Sequence, residues 1–180
     1  MLIREAKLSD AAKIARVNVE TWKSTYQELL PPQQLALVTF PDRKNYAREI
    51  IKSKDKGIVV AEMERGKIVG FAAFGPERAG GLPFKGELYV IYVLKAFQRK
   101  GIGSRLMMAV RKKLLEMGIH SLMVWTLYNN PYQRFYQALG GTIVYARTLD
   151  IEGFKTLERA YGWWEIGTMF AESQHRNQML

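Results

Sequence analysis

The chain has 180 residues, of which 48% are hydrophobic and 24% charged, a balance typical of one globular domain with a sizeable core. It holds no cysteine, which excludes a disulfide framework, a thiolate metal site and a cysteine acyl-enzyme. The formal net charge of +10 suits a ligand that carries phosphates, and it also attracts nucleic acid non-specifically. No apolar run approaches the roughly 20 residues of a membrane span. The N-terminus lacks the pattern of a signal peptide, so we expect a cytoplasmic protein.

Hydrophobic periodicity and turn residues predict the element order β-α-α-β-β-β-α-β-α-β-β. Ser9 and Asp10 are suitable N-cap residues for a first helix that ends near Tyr26. Pro41 is expected to break the second helical segment, and glycines and prolines predict a loop over 75–85. The predicted strands are 1–7, 57–63, 67–74, 87–93, 121–127, 142–148 and 154–163, and the predicted helices are 11–26, 33–38 with 43–52, 102–117 and 131–139.

The segment from Glu87 to Ser104 is the most informative part of the chain. A strand is followed by a basic turn and then by a helix that starts after Gly101 and Gly103. Free N–H groups and the dipole at a helix N-terminus bind anions, and glycine lets a phosphate approach the backbone. Leu106 stands where a Rossmann fingerprint needs its third glycine, and the Gly-Lys-Ser/Thr of a P-loop is absent. A plain glycine turn before a surface helix is the alternative.

The run Gln98-Arg99-Lys100-Gly101-Ile102-Gly103 fits the signature Q/R-x-x-G-x-G/A, and with it the chain resembles the GNAT superfamily of N-acetyltransferases. The resemblance extends from about Leu2 to about Trp164. It implies an α/β (mixed α+β) fold, with a central mixed, mostly antiparallel sheet, a splayed central strand and helices on both faces. It also implies acetyl-CoA as cosubstrate, no metal, and direct attack by a primary amine in a ternary complex. The residues implied to bind coenzyme A are Ile91, Tyr92, Val93, Gln98, Arg99, Lys100, Gly101, Ile102, Gly103, Ser104, Asn129 and Tyr136.

Acetyl transfer to an amine needs a base for the amine, a hydrogen-bond donor for the thioester carbonyl and an acid for the leaving thiolate. The segment 129–140 resembles the second signature of the family, in which a tyrosine, here Tyr136, protonates the thiolate. Glu87 aligns with the strand carboxylate that acts as base in one branch of the family, and a chain of waters is the alternative. A bulge at Tyr92 and Val93 is expected to splay the strand and free a backbone amide for the carbonyl.

Structural roles stay open for the same residues. Tyr136 could pack in the core, Glu87 could form a salt bridge, and Asn129 could simply cap its helix. Four aromatic residues could either line the acceptor cleft or belong to the core: Trp22, Tyr26, Trp163 and Trp164.

We expect one domain over 1–166 and a polar, frayed tail over 167–180. The acceptor, a small-molecule or peptide amine, is not named by the sequence. The positive net charge argues against a highly cationic acceptor unless acidic residues cluster in the cleft. A catalytically weak sensor or scaffold that binds acyl-CoA is the alternative function, and no motif supports specific nucleic-acid binding. Family members often form dimers, and Met169-Phe170 could contribute to such a contact.

Overall fold

The structure, a computed structural model, describes residues 1–169. Seven strands in this part of the chain form one sheet: β1 (Leu2–Glu5), β2 (Gly57–Met63), β3 (Lys67–Pro76), β4 (Gly86–Val93), β5 (Leu122–Leu127), β6 (Thr142–Ile151) and β7 (Phe154–Trp163). Their order across the sheet is β1-β2-β3-β4-β5-β7-β6. Every neighbouring pair is antiparallel except β4 and β5, which run parallel. The expected mixed, mostly antiparallel sheet is confirmed.

Helices cover both faces of the sheet: α1 (Ala11–Tyr26), α2 (Pro32–Ala36), α3 (Phe40–Lys52), α4 (Ile102–Glu116) and α5 (Gln133–Ala138). Apolar residues of α1 and α3 form one hydrophobic cluster with β2, β3 and β4. The opposite face carries a larger cluster, built by α4 with β2 to β5 and β7. Within residues 1–169, no helix is long and apolar enough to cross a membrane.

The predicted break near Pro41 is present, between the end of α2 at Ala36 and the start of α3 at Phe40. Thr39 is the N-cap of α3, and its hydroxyl accepts a hydrogen bond from the backbone N–H of Asp42 at 3.3 Å. Pro41 therefore lies in the first turn, where a residue without an N–H costs no helical hydrogen bond.

The core extends further along the chain than the predicted boundary at residue 166. Ile166 and Met169 are both buried in the cluster beneath α4. Arg111 on α4 holds this segment, because its guanidinium donates to the carbonyls of Ile166, at 2.6 Å, and Gly167. Met169 thus packs inside its own chain and is not free for the dimer contact suggested above. Phe170 and the rest of the tail lie outside the described residues.

Strands β4 and β5 separate soon after they begin. They pair only at Gly86 with Leu122 and at Glu87 with Met123. Both strands then continue, β4 to Val93 and β5 to Leu127, without further pairing to each other. The splayed central strand predicted from the sequence is confirmed, and it leaves a gap in the middle of the sheet.

The β-bulge of the central strand lies at Tyr89 and not, as predicted, at Tyr92 and Val93. The register between β3 and β4 shifts by one residue there, which leaves Tyr89 without a partner in β3. The hydroxyl of Tyr89 lies so close to Gly75 that a Cβ on this glycine would be 2.5 Å away, so the glycine makes room for the bulge. The bulge turns Tyr89 and Val90 to the same face, toward α1 and α3.

Candidate active site

A cavity of about 460 Å³ opens where β4 and β5 separate. It crosses the sheet, because its walls come from α1 on one face and from α4 and α5 on the other. Among the described residues, no group of three or more acidic or histidine side chains could hold a metal ion. The cavity is lined by Thr21, Thr25, Tyr26, Tyr89, Val90, Ile91, Tyr92, Val93, Phe97, Gln98, Arg99, Gly101, Ile102, Gly103, Ser104, Val124, Trp125, Thr126, Asn130, Tyr132, Phe135 and Tyr136.

One end of the cavity has the geometry of an anion site. Gly101 is the N-cap of α4 with φ of 75°, a left-handed conformation that glycine adopts without strain. Having no side chain, it leaves the N–H groups of residues 102–104 without a side-chain cap. A Cβ at Gly101 would meet no atom within 4 Å, so the turn is open to a ligand. Arg99 is the one charged side chain lining the cavity in residues 1–169, and a phosphate fits this end.

The second glycine of the signature has a different role. A Cβ on Gly103 would lie 2.9 Å from the ring of Phe135, so its absence lets α4 and α5 approach closely beside the cavity. Gln98, a predicted ligand, turns back toward the strand, and its side-chain amide donates to the carbonyl of Val93 at 2.9 Å. This contact fixes the turn against the end of β4.

The edge of β4 that faces the gap offers backbone donors. The N–H of Leu94 donates to the carbonyl of Val69 in β3 at 2.9 Å. Because successive N–H groups in a strand point to alternate sides, those of Val93 and Ile91 face away from β3, into the gap. An extended amide-bearing chain, such as pantetheine, could pair with this edge as an added strand.

Tyr136 forms part of the cavity wall and is 6% exposed. Its ring stacks on Tyr161 with the centroids 5.5 Å apart and meets the edge of Phe135 at 5.4 Å. Burial raises the pKa of the Tyr136 hydroxyl well above its usual value. Burial thus keeps the hydroxyl in its protonated form.

Asn130, not Asn129, is the asparagine of the site. Asn129 is exposed and does not line the cavity. The amide nitrogen of Asn130 donates to the hydroxyls of Tyr26 at 3.0 Å and Thr126 at 2.7 Å, and its oxygen accepts from the N–H of Tyr132 at 2.8 Å. Helix α5 starts only at residue 133, so the turn after β5 directs the second asparagine inward. Asn130 thus links α1, β5 and the start of α5 across the gap.

The α1 end of the cavity is polar but carries no charge. Burial raises the pKa of Tyr26 to about 12, although hydrogen bonds with Tyr92 and Asn130 act in the opposite direction. Burial also raises the pKa of Tyr92. Thr21 and Thr25 are 3% and 8% exposed, and neither hydroxyl oxygen has a hydrogen-bond partner among the described residues.

Glu87 and Lys100 are predicted site residues that the structure does not place in the cavity wall. Glu87 is buried, and its carboxylate accepts hydrogen bonds from the Arg78 side chain at 2.5 and 3.0 Å and from the Arg78 backbone N–H at 3.1 Å. The structure therefore contains the salt bridge, here with Arg78, that the sequence left open as the alternative role of Glu87. Lys100 is exposed and donates to the carbonyl of Ala96 at 3.1 Å.

The aromatic residues divide between cavity and core. Tyr26 lines the cavity, and Trp22 packs behind it with the ring centroids 4.5 Å apart. Trp163 is buried and donates to the carbonyl of Leu139 at 2.8 Å, while Trp164 is exposed and packs on Phe84. Neither of the last two tryptophans lines the cavity.

Comparison with known proteins identifies the family. Residues 20–141 match the acetyltransferase (GNAT) family. An uncharacterized N-acetyltransferase of Bacillus subtilis, YuaI, is 36% identical over 167 residues, which cover 93% of this chain and 95% of the relative. The PaiA N-acetyltransferase of Thermoplasma acidophilum, solved in complex with coenzyme A, superposes with a TM-score of 0.67 at 18% identity, over 88% of this chain and 96% of the other. The structure of YncA from Salmonella typhimurium, solved with acetyl-CoA, superposes with a TM-score of 0.69 at 22% identity. The superposition covers 92% of this chain and 94% of YncA.

At these identities the structural likeness concerns the fold alone. The family match, however, spans the segments from α1 to α5 that build the cavity, and the relative aligned over nearly the whole chain is named an N-acetyltransferase. Both findings favour an enzyme over an acyl-CoA sensor. The chain belongs to the GNAT family of acetyltransferases and is an acyltransferase.

Proposed function

We propose that this enzyme transfers the acetyl group of acetyl-CoA to a primary amine, on a small molecule or a peptide, by direct attack in a ternary complex. The observation that carries the proposal is the cavity that crosses the sheet. It joins an anion site at the start of α4, the unpaired edge of β4 and the hydroxyl-bearing side chain of Tyr136. The lack of cysteine closes a cysteine acyl-enzyme route and is consistent with direct attack.

Different residues of the cavity have different roles in the reaction. Bound acetyl-CoA supplies an acyl thioester, and its phosphates fit the free N–H groups at residues 102–104 with Arg99 beside them. The N–H groups of Ile91 and Val93 donate to the carbonyl oxygen as negative charge develops on it. Tyr136 donates its proton to the sulfur as the C–S bond breaks and the C–N bond forms, and it regains a proton from solvent.

The amine must also lose a proton, and two routes were left open. Both carboxylate oxygens of Glu87 are occupied by Arg78, and Glu87 does not line the cavity. This arrangement favours the route through water over direct transfer to Glu87.

The test is the release of free thiol from acetyl-CoA with a panel of primary amines, in the wild type and in Tyr136→Phe. We expect kcat to fall about 100-fold or more in the variant, with the KM for acetyl-CoA nearly unchanged, because only a proton donor is lost. Tyr161→Phe is the matched control. Its ring stacks on Tyr136, but its hydroxyl binds Gln133 and the residue does not line the cavity.

Each part of the proposal can fail separately. Equal kcat in Tyr136→Phe and the wild type would remove Tyr136 as the acid while keeping the transferase. Tight binding of acetyl-CoA without turnover of any amine would contradict the amine acceptor.

A further inference from the structure

The α1 end of the cavity carries two buried hydroxyls that have no hydrogen-bond partner in residues 1–169. Thr21 and Thr25 lie one helical turn apart on the same face of α1, and both line the cavity. In the described part of the chain neither Oγ1 has a hydrogen-bond partner, although a helical threonine commonly donates to the carbonyl four residues before it. Leaving a buried hydroxyl unpaired costs about 1–3 kcal/mol. The pair therefore points to a polar ligand at this end.

No acidic residue among residues 1–169 lines the cavity. The acidic cluster that a polycationic acceptor would need is thus not present in the cavity wall. The two buried glutamates near its aromatic walls, Glu87 and Glu158, are each paired with an arginine, at 2.5 Å in both cases. Neither glutamate therefore offers a free carboxylate to a ligand in the cavity.

Two guanidinium groups lie against the outside of the cavity wall. The guanidinium of Arg78 is 4.2 Å from the ring centroid of Tyr89, and that of Arg147 is 4.0 Å from the ring of Trp125. Tyr89 and Trp125 both line the cavity. The arginine side chains are 51% and 49% exposed, whereas the glutamates that hold them are buried. Solvent therefore meets the positive member of each pair.

A third arginine adds to this charge. The Nε of Arg43 on α3 is buried without a hydrogen-bond partner. Its charge acts on Tyr92 in the cavity wall and lowers the pKa of that hydroxyl, against the larger effect of burial. Three guanidinium groups, those of Arg43, Arg78 and Arg147, thus lie near residues of the cavity wall.

We propose that the acceptor is a small primary amine that also carries a carboxylate, as a free amino acid does. The proposal rests on the proposed function and narrows its substrate. The hydroxyls of Thr21 and Thr25 accept hydrogen bonds from the amine and orient it toward the gap between β4 and β5. The carboxylate binds the exposed guanidinium group of Arg78 or of Arg147, where charge-assisted hydrogen bonds favour it.

The first test needs only the wild-type enzyme and pairs of amines that differ by one carboxylate: phenylalanine with phenethylamine, methionine with 3-(methylthio)propylamine, and lysine with cadaverine. Thiol release gives kcat/KM for each, and we expect the carboxylate-bearing member of a pair to be about ten-fold better or more. Equal or better turnover of the carboxylate-free amines would overturn the inference and leave the amine acetyltransferase standing.

Binding of acetyl-CoA, measured by calorimetry, separates the two proposals. Binding of acetyl-CoA without turnover of any carboxylate-bearing amine also overturns the inference. Failure to bind acetyl-CoA contradicts the proposed function itself, and the inference falls with it.

Variants test the assigned residues. Thr25→Val removes one hydroxyl and should raise the KM for the acceptor about ten-fold, with the KM for acetyl-CoA unchanged. Thr148→Val, at an exposed position of β6, is the matched control. The double variant Arg147→Gln, Glu158→Gln leaves no buried charge unpaired and should lower the preference for the carboxylate-bearing amines about five-fold. An unchanged KM in Thr25→Val, or an unchanged preference in the double variant, would overturn the assignment of that residue.

Discussion

Replacement of Asn130 by alanine tests how the two sides of the gap are held together. The side chain makes three hydrogen bonds, to Tyr26, Thr126 and Tyr132, at 2.7 to 3.0 Å. A hydrogen bond in a folded protein contributes about 1 kcal/mol, and a buried group left unpaired costs about 1–3 kcal/mol. We therefore expect Asn130→Ala to lower the free energy of unfolding by about 3 kcal/mol, a large part of the stability of a typical domain.

The adjacent asparagine provides the control. Asn129 is exposed and outside the cavity, so Asn129→Ala should change the free energy of unfolding by less than about 0.5 kcal/mol. Urea denaturation followed by tryptophan fluorescence measures both variants. Because Tyr26 and Thr126 also line the cavity, the KM for acetyl-CoA should rise in Asn130→Ala only. Equal losses of stability in the two variants, or a loss below about 1 kcal/mol at Asn130, would refute this account of the network.

Three further outcomes follow from the same geometry. Tyr26 and Tyr136 have raised pKa values in the folded state, so the unfolded chain releases these two protons first as the pH rises above about 10. The free energy of unfolding should therefore fall by about 1.4 kcal/mol per pH unit for each tyrosine. A free energy of unfolding that stays constant between about pH 9 and 11 would contradict their burial. Gly103→Ala should raise the KM for acetyl-CoA about ten-fold, because the added methyl displaces Phe135, and an unchanged KM would show that the ring moves freely. If water carries the proton, Glu87→Gln should keep kcat within about three-fold of the wild type. A kcat about 100-fold lower, with the acidic limb of the pH profile also lost, would restore Glu87 as the base.

The parts of the site that depend on neighbouring residues could be predicted from the sequence. The anion site needs only a strand, a turn with Gly101 and Gly103, and the start of a helix, all within 20 residues of one another. Tyr136 is predicted from the resemblance of 129–140 to a family signature, and the structure places it on the short helix α5 in the cavity wall. The order of the strands and of most helices follows from the hydrophobic pattern, whereas the second predicted helical segment is two helices, α2 and α3.

The parts of the site that depend on contacts between distant segments could not be predicted from the sequence. The bulge at Tyr89 is set by the register of β4 against β3, which no local pattern reveals. The partner of Glu87 is Arg78, in a loop whose path is fixed only once the sheet has formed. The choice between Asn129 and Asn130 depends on which one the turn after β5 directs inward. Thr21 and Thr25 did give a signal, because with Asn18 they put polar residues at helical spacing on a face of α1 that also carries apolar residues.

A ligand bound in the gap between β4 and β5 would hold the two halves of the sheet together. The strands on either side of it share two residue pairs at one end, and the remainder of each edge is free in the described chain. A molecule lying along this gap contacts both halves of the sheet and binds only the folded chain. At a hundred-fold excess over its Kd, such a ligand adds about 2.7 kcal/mol to the free energy of unfolding. If acetyl-CoA is that ligand, the lifetime of the enzyme against proteolysis should increase with the acetyl-CoA concentration in the cell. The amount of enzyme should then fall when its acetyl donor is scarce.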